Sequence, residues 1–226
     1  MAMELIRVPR IMSDTSRGHL LHGRSIGFVP TMGSLHEGHL SLIRRSRSEN
    51  DITIVSIFVN PIQFGPSEDF NKYPRDPEGD IAKLRKAEAD VLFIPDAHSI
   101  YPAGFSTRVD VEGLSEKLCG QSRPGHFRGV ATVVSKLFNI VRPTRAYFGQ
   151  KDFQQAVIIS RMAKDLDMGI EVVVCPTIRE SDGLAMSSRN AYLNEEERKA
   201  ASVINKCLEE TIGFLKSGII ELGPIK

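Results

Sequence analysis

The sequence predicts an α/β fold: a Rossmann-like doubly wound parallel sheet, followed by a short C-terminal α-containing segment that reads as truncated. Three observations carry this. Short apolar runs are bounded by turn residues, stretches of helical apolar spacing lie between them, and glycine-bearing turns mark where run passes into helix. At 226 residues, 41% hydrophobic and 25% charged, the chain can bury one good core and a small second unit.

The elements follow in order. Residues 26–30 (IGFVP) form the first strand, an unbroken apolar run suited to cover on both faces. Residues 37–48 carry apolar positions at helical spacing, and residues 52–59 form the second strand. A helix over 78–89 leads to a strand over 91–95. The helix over 127–141 places Val133, Leu137 and Ile140 on one face and leads to a strand over 145–149. A helix over 153–167 and a strand over 171–174 complete the repetition. Strand, helix, strand in series implies parallel pairing. The long irregular stretches, 60–77 and 97–125, are of a kind that compact domains keep for function. Asn194, with Glu195, Glu196 and Glu197 behind it, reads as a capped helix start. It marks a new unit, so the chain divides into residues 1–180 and 181–226.

A net charge of +1 and a pI near 7.8 give no global electrostatic reason for a nucleic-acid or membrane partner. Cys119, Cys175 and Cys207 are far apart with no CxxC spacing, which reads as reduced thiols rather than a zinc site. The N-terminus lacks the apolar core of a signal peptide, and no apolar run approaches the ~20 residues needed to span a bilayer. A cytoplasmic location is expected.

Five segments concentrate residues of chemical use. Residues 27–40 (GFVPTMGSLHEGHL) read strand, glycine turn, helix. A helix N-terminus offers unpaired N–H groups to phosphate, Gly33 allows close backbone approach, and His36 and His39, three apart, share one helix face. Two imidazoles there can donate to charge that builds on a triphosphate; a polar cap is the blander reading. The spacing of three argues against a metalloprotease helix, whose histidines are four apart. Residues 146–155 (AYFGQKDFQQ) end a strand on Gly149 and open a helix through Gln150, Lys151 and Asp152. Lys151 can reach phosphate, and Asp152 can cap the helix or hold a metal; alone, the segment reads equally as a solvated turn. If its strand lies beside the first, where strand order reverses, both turns face one crevice.

Residues 179–190 (RESDGLAMSSRN) set Ser187 and Ser188 beside Arg189, as a flexible phosphate clamp or a surface loop. Residues 58–65 (FVNPIQFG) end the second strand with Gln63, suited to bond a hydroxyl or carboxylate, between Phe58 and Phe64, which otherwise pack. Residues 123–129 (RPGHFRG) put three cations ahead of a helix, as an anion site or as solvated charge.

In this order PTMGSLHEGH, FVNPIQF, RPGHFRGV, YFGQKDFQQ and DGLAMSSRN resemble the pantothenate synthetase (pantoate–β-alanine ligase) family, within the HIGH-motif nucleotidylyltransferase superfamily. The resemblance spans about residues 26–193 and rests on five motifs that recur together. It implies an enzyme that condenses (R)-pantoate with β-alanine through a pantoyl-adenylate, giving pantothenate, AMP and pyrophosphate in coenzyme A precursor biosynthesis. ATP is the co-substrate.

The resemblance also implies roles. Met32, Gly33, Ser34, Leu35, His36, Glu37, Gly38 and His39 hold ATP, with His39 a general acid or electrostatic helper and His36 sharing the phosphate contacts. Gly149, Gln150, Lys151 and Asp152 bind ATP, Lys151 on its phosphates; with the two histidines it makes up the catalytic set. The backbone at Ile178 meets adenine, and Met186, Ser187, Ser188 and Arg189 close over the triphosphate. Gln63, Gln155, Met32 and Arg123 hold pantoate or β-alanine. Mg²⁺ rides on the phosphates, with Asp80 an indirect ligand, and the chain forms a homodimer. Residues 1–180 become the ATP- and pantoate-binding domain, and residues 181–226 a hinge loop and the start of a lid that stops at Lys226, short of the family's fuller one. A nucleotidylyltransferase of another small acceptor, or an ATP-binding fragment inactive without its lid, is the alternative. A tRNA-binding fragment would need a basic stripe that the sequence lacks.

Overall fold

The computed structural model describes residues 3–218, and in it all six strands run parallel. The strands are β1 (Glu4–Ile6), β2 (Ile26–Thr31), β3 (Ile52–Ile57), β4 (Val91–Phe93), β5 (Arg145–Gly149) and β6 (Glu171–Cys175), in the spatial order β1-β4-β3-β2-β5-β6. The helices are α1 (Pro9–Leu21), α2 (Glu37–Glu49), α3 (Pro77–Lys86), α4 (Ala97–Ile100), α5 (Cys119–Ser122), α6 (His126–Val141), α7 (Phe153–Asp165) and α8 (Glu195–Lys216).

Strand residues alternate between two cores because successive side chains point to opposite faces of a sheet. Ile26 and Phe28 of β2, Ile52 and Ile54 of β3, Val91 and Phe93 of β4, and Ala146 and Phe148 of β5 enter one cluster. Met12 of α1, Val134 and Phe138 of α6, and Ile158 and Ile159 of α7 close that side. Val29, Val55, Leu92 and Tyr147 point the other way and pack with Leu42 and Ile43 of α2 and Leu84 of α3. Covering both faces explains why these strands read as unbroken apolar runs.

The five expected strands are present, one with the same bounds and the others with an end moved by one or two residues. Two elements lay outside the expectation. β1 is three residues long, too short for a period-2 signal, and α1 buries only Met12 and Ser16 and has no side-chain cap, its one start signal being Pro9 at the first turn. The stretches expected to be irregular contain a 3-10 turn at Pro61–Gln63 and the short helices α4 and α5. Asn194 does cap α8: it accepts from the N–H of Glu197, whose carboxylate accepts from the N–H of Asn194. Along α8 the apolar residues Ile204, Leu208, Ile212 and Leu215 are about half exposed or more. Of the chain end from Gly218 to Lys226, expected to read as an unfinished edge, residues 219–226 lie outside the described residues.

The order puts β2 next to β5 although more than a hundred residues separate them. The direction in which strands are added reverses between these two, so the turn after β2 and the turn after β5 open on one crevice.

Candidate active site

That crevice holds a cavity of about 250 Å³ whose lining includes Met32, His36, His39, Gln63, Lys151 and Arg189. Its first wall is the junction of β2 and α2. Gly33 sits at φ +84° and Ser34 at φ 51°, so the chain turns through two consecutive left-handed residues. The N–H groups of Ser34 and Leu35, freed by that turn, donate to the two carboxylate oxygens of Asp80 at 2.7 and 2.6 Å. Asp80 comes from α3, its side chain is 2% exposed, and the ammonium of Lys83 lies 3.9 Å from it. These backbone donors, expected to face phosphate, are satisfied from within the protein.

His36 proves to be the N-cap residue of α2, so the histidines do not share a helix face as their spacing suggested. Its ring folds back, and its Nδ1 accepts from the N–H of Gly38 at 3.2 Å; Nδ1 of His39 accepts from the N–H of His36 at 3.3 Å. The rings lie 4.1 Å apart at a tilt of 37°. Gly38 is required by this arrangement, since a Cβ there would stand 2.9 Å from Cε1 of His36. Because both Nδ1 atoms accept, each neutral ring carries its proton on Nε2. Burial pushes His39 down to about 3, reinforced by His36 and Lys151, and burial followed by Lys151 lowers His36 as well. The pair therefore supplies two neutral N–H donors, and neither ring is a protonated acid near neutral pH.

The opposite wall is cationic and partly solvated. Lys151 sits at the end of β5 with its ammonium 3.6 Å from Asp152. Asp152 occupies the N-cap position of α7 but makes no capping hydrogen bond, contrary to one expectation for it. Arg189 donates through Nε and Nη2 to the two oxygens of Asp69, both at 2.9 Å, and its guanidinium lies 5.2 Å from the centre of the Tyr73 ring. Arg123 donates to Glu68 at 2.8 and 2.6 Å and from Nη1 to Nε2 of His126 at 3.1 Å, while Nδ1 of His126 donates to the carbonyl of Gln63. Each pair holds its acid below the usual carboxylate range. Two consecutive acids of one loop thus hold two arginines from distant parts of the chain.

The far end of the cavity is amide and hydrocarbon. Gln63 is 8% exposed; its Oε1 accepts from Nδ2 of Asn60 at 3.0 Å, and its Nε2 donates to the sulfur of Met32 at 3.2 Å. Gln155, Val130, Val134 and Leu137 continue the lining. Polar side chains that fix orientation, set in an apolar wall, suit a small organic acid beside a nucleotide.

Comparison with known proteins decides the family. The model of the family described as pantoate-beta-alanine ligase matches residues 4–219. The chain belongs to the pantoate–β-alanine ligase family. It is 64% identical over 216 residues to the pantothenate synthetase of Thermodesulfovibrio yellowstonii, covering 96% of this chain and 77% of that one. It is 60% identical over 204 residues to that of Acetivibrio thermocellus, covering 90% and 73%. Among solved structures, pantothenate synthetase from Thermus thermophilus aligns with a TM-score of 0.90 at 48% identity, over 96% of this chain and 77% of that one. The pantoate-beta-alanine ligase from Francisella tularensis, complexed with beta-gamma ATP and beta-alanine, aligns with a TM-score of 0.86 at 42% identity, over 92% and 80%.

Measured against what membership of this ligase family led the sequence to expect, the cavity gathers most of the named residues. Met32, His36, Gly38, His39, Gly149, Lys151, Asp152, Ile178, Met186, Ser187, Ser188 and Arg189 line it, as do Gln63, Gln155 and Arg123. Gly33, Ser34, Leu35, Glu37 and Gln150 do not: Gly33 makes the turn, Ser34 and Leu35 bond Asp80, and the Glu37 carboxylate pairs with Arg44 on the outer face of α2. Asp80 likewise does not line the cavity; its two oxygens accept from the turn. At Ile178 the backbone carbonyl is already taken by the N–H of Met186. The expectation passed over Glu68, Asp69 and Tyr73, for which the irregular stretch 60–77 was the signal, while His126 entered it only as one cation of the RPGHFRG cluster. Among the described residues no group of three His, Cys, Asp or Glu side chains is placed to hold a metal ion, and no helix is long and apolar enough to cross a membrane.

Proposed function

We propose that the cavity activates pantoate as its adenylate and passes the acyl group to β-alanine. A pantoate carboxylate oxygen attacks the α-phosphorus of ATP, the bond to the bridging oxygen breaks, and pyrophosphate leaves with its electrons. The amine of β-alanine then attacks the acyl carbon, AMP leaves, and the amine proton goes to solvent. The observation that carries this reading is the neutral histidine pair, both Nδ1 atoms held by backbone N–H groups, facing Lys151 and Arg189 across one crevice.

In-line displacement at phosphorus needs positioning and charge stabilisation rather than a protein nucleophile. The Nε2–H groups of His36 and His39 are preset donors for phosphate oxygens, and Lys151 adds a mobile positive charge where pyrophosphate charge develops. Ser187, Ser188 and Arg189 come from a segment cross-linked to the loop 64–76: Tyr73 lies 3.4 Å from Ser188, and Tyr192 donates to the carbonyl of Lys72. We place the division of the chain at residue 180, with the segment after it serving as a hinged wall over the phosphates. Gln63 and Gln155 hold pantoate, and Arg123 orients a substrate carboxylate. Asp80 does not fit as a metal ligand, so Mg²⁺ enters as part of the Mg·ATP substrate, carried by phosphate oxygens. Homodimerisation is carried from the family resemblance and a cytoplasmic location from the sequence reading, and light scattering tests the former.

The deciding experiment supplies pantoate labelled with ¹⁸O in its carboxylate, β-alanine and Mg·ATP. Label in AMP, with pyrophosphate released, is the expected result. Label in inorganic phosphate, with ADP formed, would mean an acyl-phosphate route. Nucleotide transfer to another acceptor with no need for an amine would favour the nucleotidylyltransferase reading.

A further inference from the structure

The amide of Gln63 has its orientation set from behind by residues one layer further from the substrate. Asn60 is 1% exposed, and its Nδ2 donates both to Oε1 of Gln63 at 3.0 Å and to the carbonyl of Gly129 at 3.1 Å. Its Oδ1 accepts the phenolic proton of Tyr101 at 2.8 Å. A backbone carbonyl only accepts, so the Gly129 contact decides which end of Asn60 is nitrogen. Asn60 in turn decides which end of Gln63 is oxygen, and the Gln63 Nε2 is left turned to the sulfur of Met32, a cavity residue.

Tyr101 closes this relay and does not line the cavity. It follows α4, and its ring packs against Phe58 and Phe105 at centroid distances of 6.2 and 5.0 Å. Burial raises the phenol's pKa, so it remains a proton donor across the working pH range. Without that proton, the buried oxygen of Asn60 would have no partner, and an amide in that position gains from turning over or shifting.

We propose that Tyr101 is a positioning residue for the acid substrate: its hydroxyl saturates Asn60, which holds Gln63 with the NH₂ end toward the cavity. An inverted Gln63 would present oxygen to the oxygens of a hydroxy acid. The inference rests on the reading that this site takes pantoate.

Tyr101→Phe keeps the ring packing and removes only the donor. With ATP saturating, pantoate-dependent pyrophosphate release by this variant should show a pantoate KM raised about 5-fold, the equivalent of one neutral hydrogen bond. The kcat and the ATP KM should stay within about twofold. In a Gln63→Ala background, Tyr101→Phe should raise the pantoate KM no further, because the relay then has no end point. The inference is overturned if Tyr101→Phe leaves the pantoate KM unchanged, acts equally with and without Gln63, or raises the ATP KM in parallel as general loosening would. Calorimetric pantoate binding by the same four proteins reads the same cycle without turnover. An unmodified chain that binds pantoate but forms no adenylate would count against the proposed reaction, whereas an additive cycle in an active chain counts only against the relay.

Discussion

The two walls of the cavity differ in how their polar groups are held. On the β2–α2 wall, each Nδ1 of the histidine pair and each oxygen of Asp80 is bonded to a backbone N–H. The imidazoles of that wall are neutral, half-buried and fixed before substrate arrives. On the other wall, Arg123 and Arg189 are held by Glu68 and Asp69, with side chains 29% and 41% exposed. Such ion pairs are worth little in water, about 0–1 kcal/mol, and an arriving phosphate or carboxylate can exchange for the protein's own acid. One wall is organised in advance, as transition-state stabilisation requires, and the other by partner exchange, as binding and closure require.

The sharpest way to break this contrast is at His39. His39→Ala should lower kcat for pyrophosphate release by about 10²–10³, the usual cost of deleting one preset donor, with the pantoate KM changed by less than about twofold. An equal rise in KM with kcat retained would make the ring a binding group and remove the distinction between the walls. Asp80 tests the same wall through the fold. Asp80→Ala strands the N–H groups of Ser34 and Leu35 and should cost about 2–4 kcal/mol in urea unfolding. Asp80→Asn, which keeps one acceptor, should cost about half as much. A negligible change in either would mean that the turn holds without its carboxylate.

The second wall predicts a smaller effect of opposite sign. Asp69→Asn removes the charge that occupies Arg189, so ATP should bind about 2- to 5-fold tighter by calorimetry, in line with the modest worth of a partly exposed pair. Weaker ATP binding would show that Asp69 aims Arg189 rather than competes with the nucleotide.

The same contrast marks what could be read from the chain. β2, β3 and β5 were legible because burial on both faces demands an apolar run whatever the neighbours, and β1 was not because three residues carry no period. That His36, His39, Lys151 and Gln63 converge on one cavity was legible because each follows a strand end and its turn. The hold of Asp80 on the turn was not legible, because its partners, Ser34 and Leu35, lie 46 and 45 positions away. Glu68 and Asp69 drew no reading because the arginines they hold are 55 and 120 positions distant. Local spacing shows which groups converge; whether a group is free or already partnered depends on packing that no local window contains.

The pH dependence of the rate gives the smallest effect and separates a neutral donor from a proton donor. His39 has its folded pKa depressed from 6.5 to about 3, so below pH 6.5 the unfolded chain takes up a proton that the folded chain refuses. The unfolded state then binds more protons, and stability must fall as pH drops from 6.5 toward 3; above 6.5 the stabilising contribution is fully present. The rate should behave differently, because a ring already neutral has nothing to lose on going from about pH 6 to about pH 8. The expected profile for kcat of adenylation is flat in that range, while the unfolding midpoint declines on the acid side. Replacing His39 with Gln should flatten the acid-side loss of stability. An acid limb in kcat with an apparent pKa near 6.5, abolished in that variant, would mean that the imidazole titrates in the working enzyme and that the first wall is wetter than its geometry indicates.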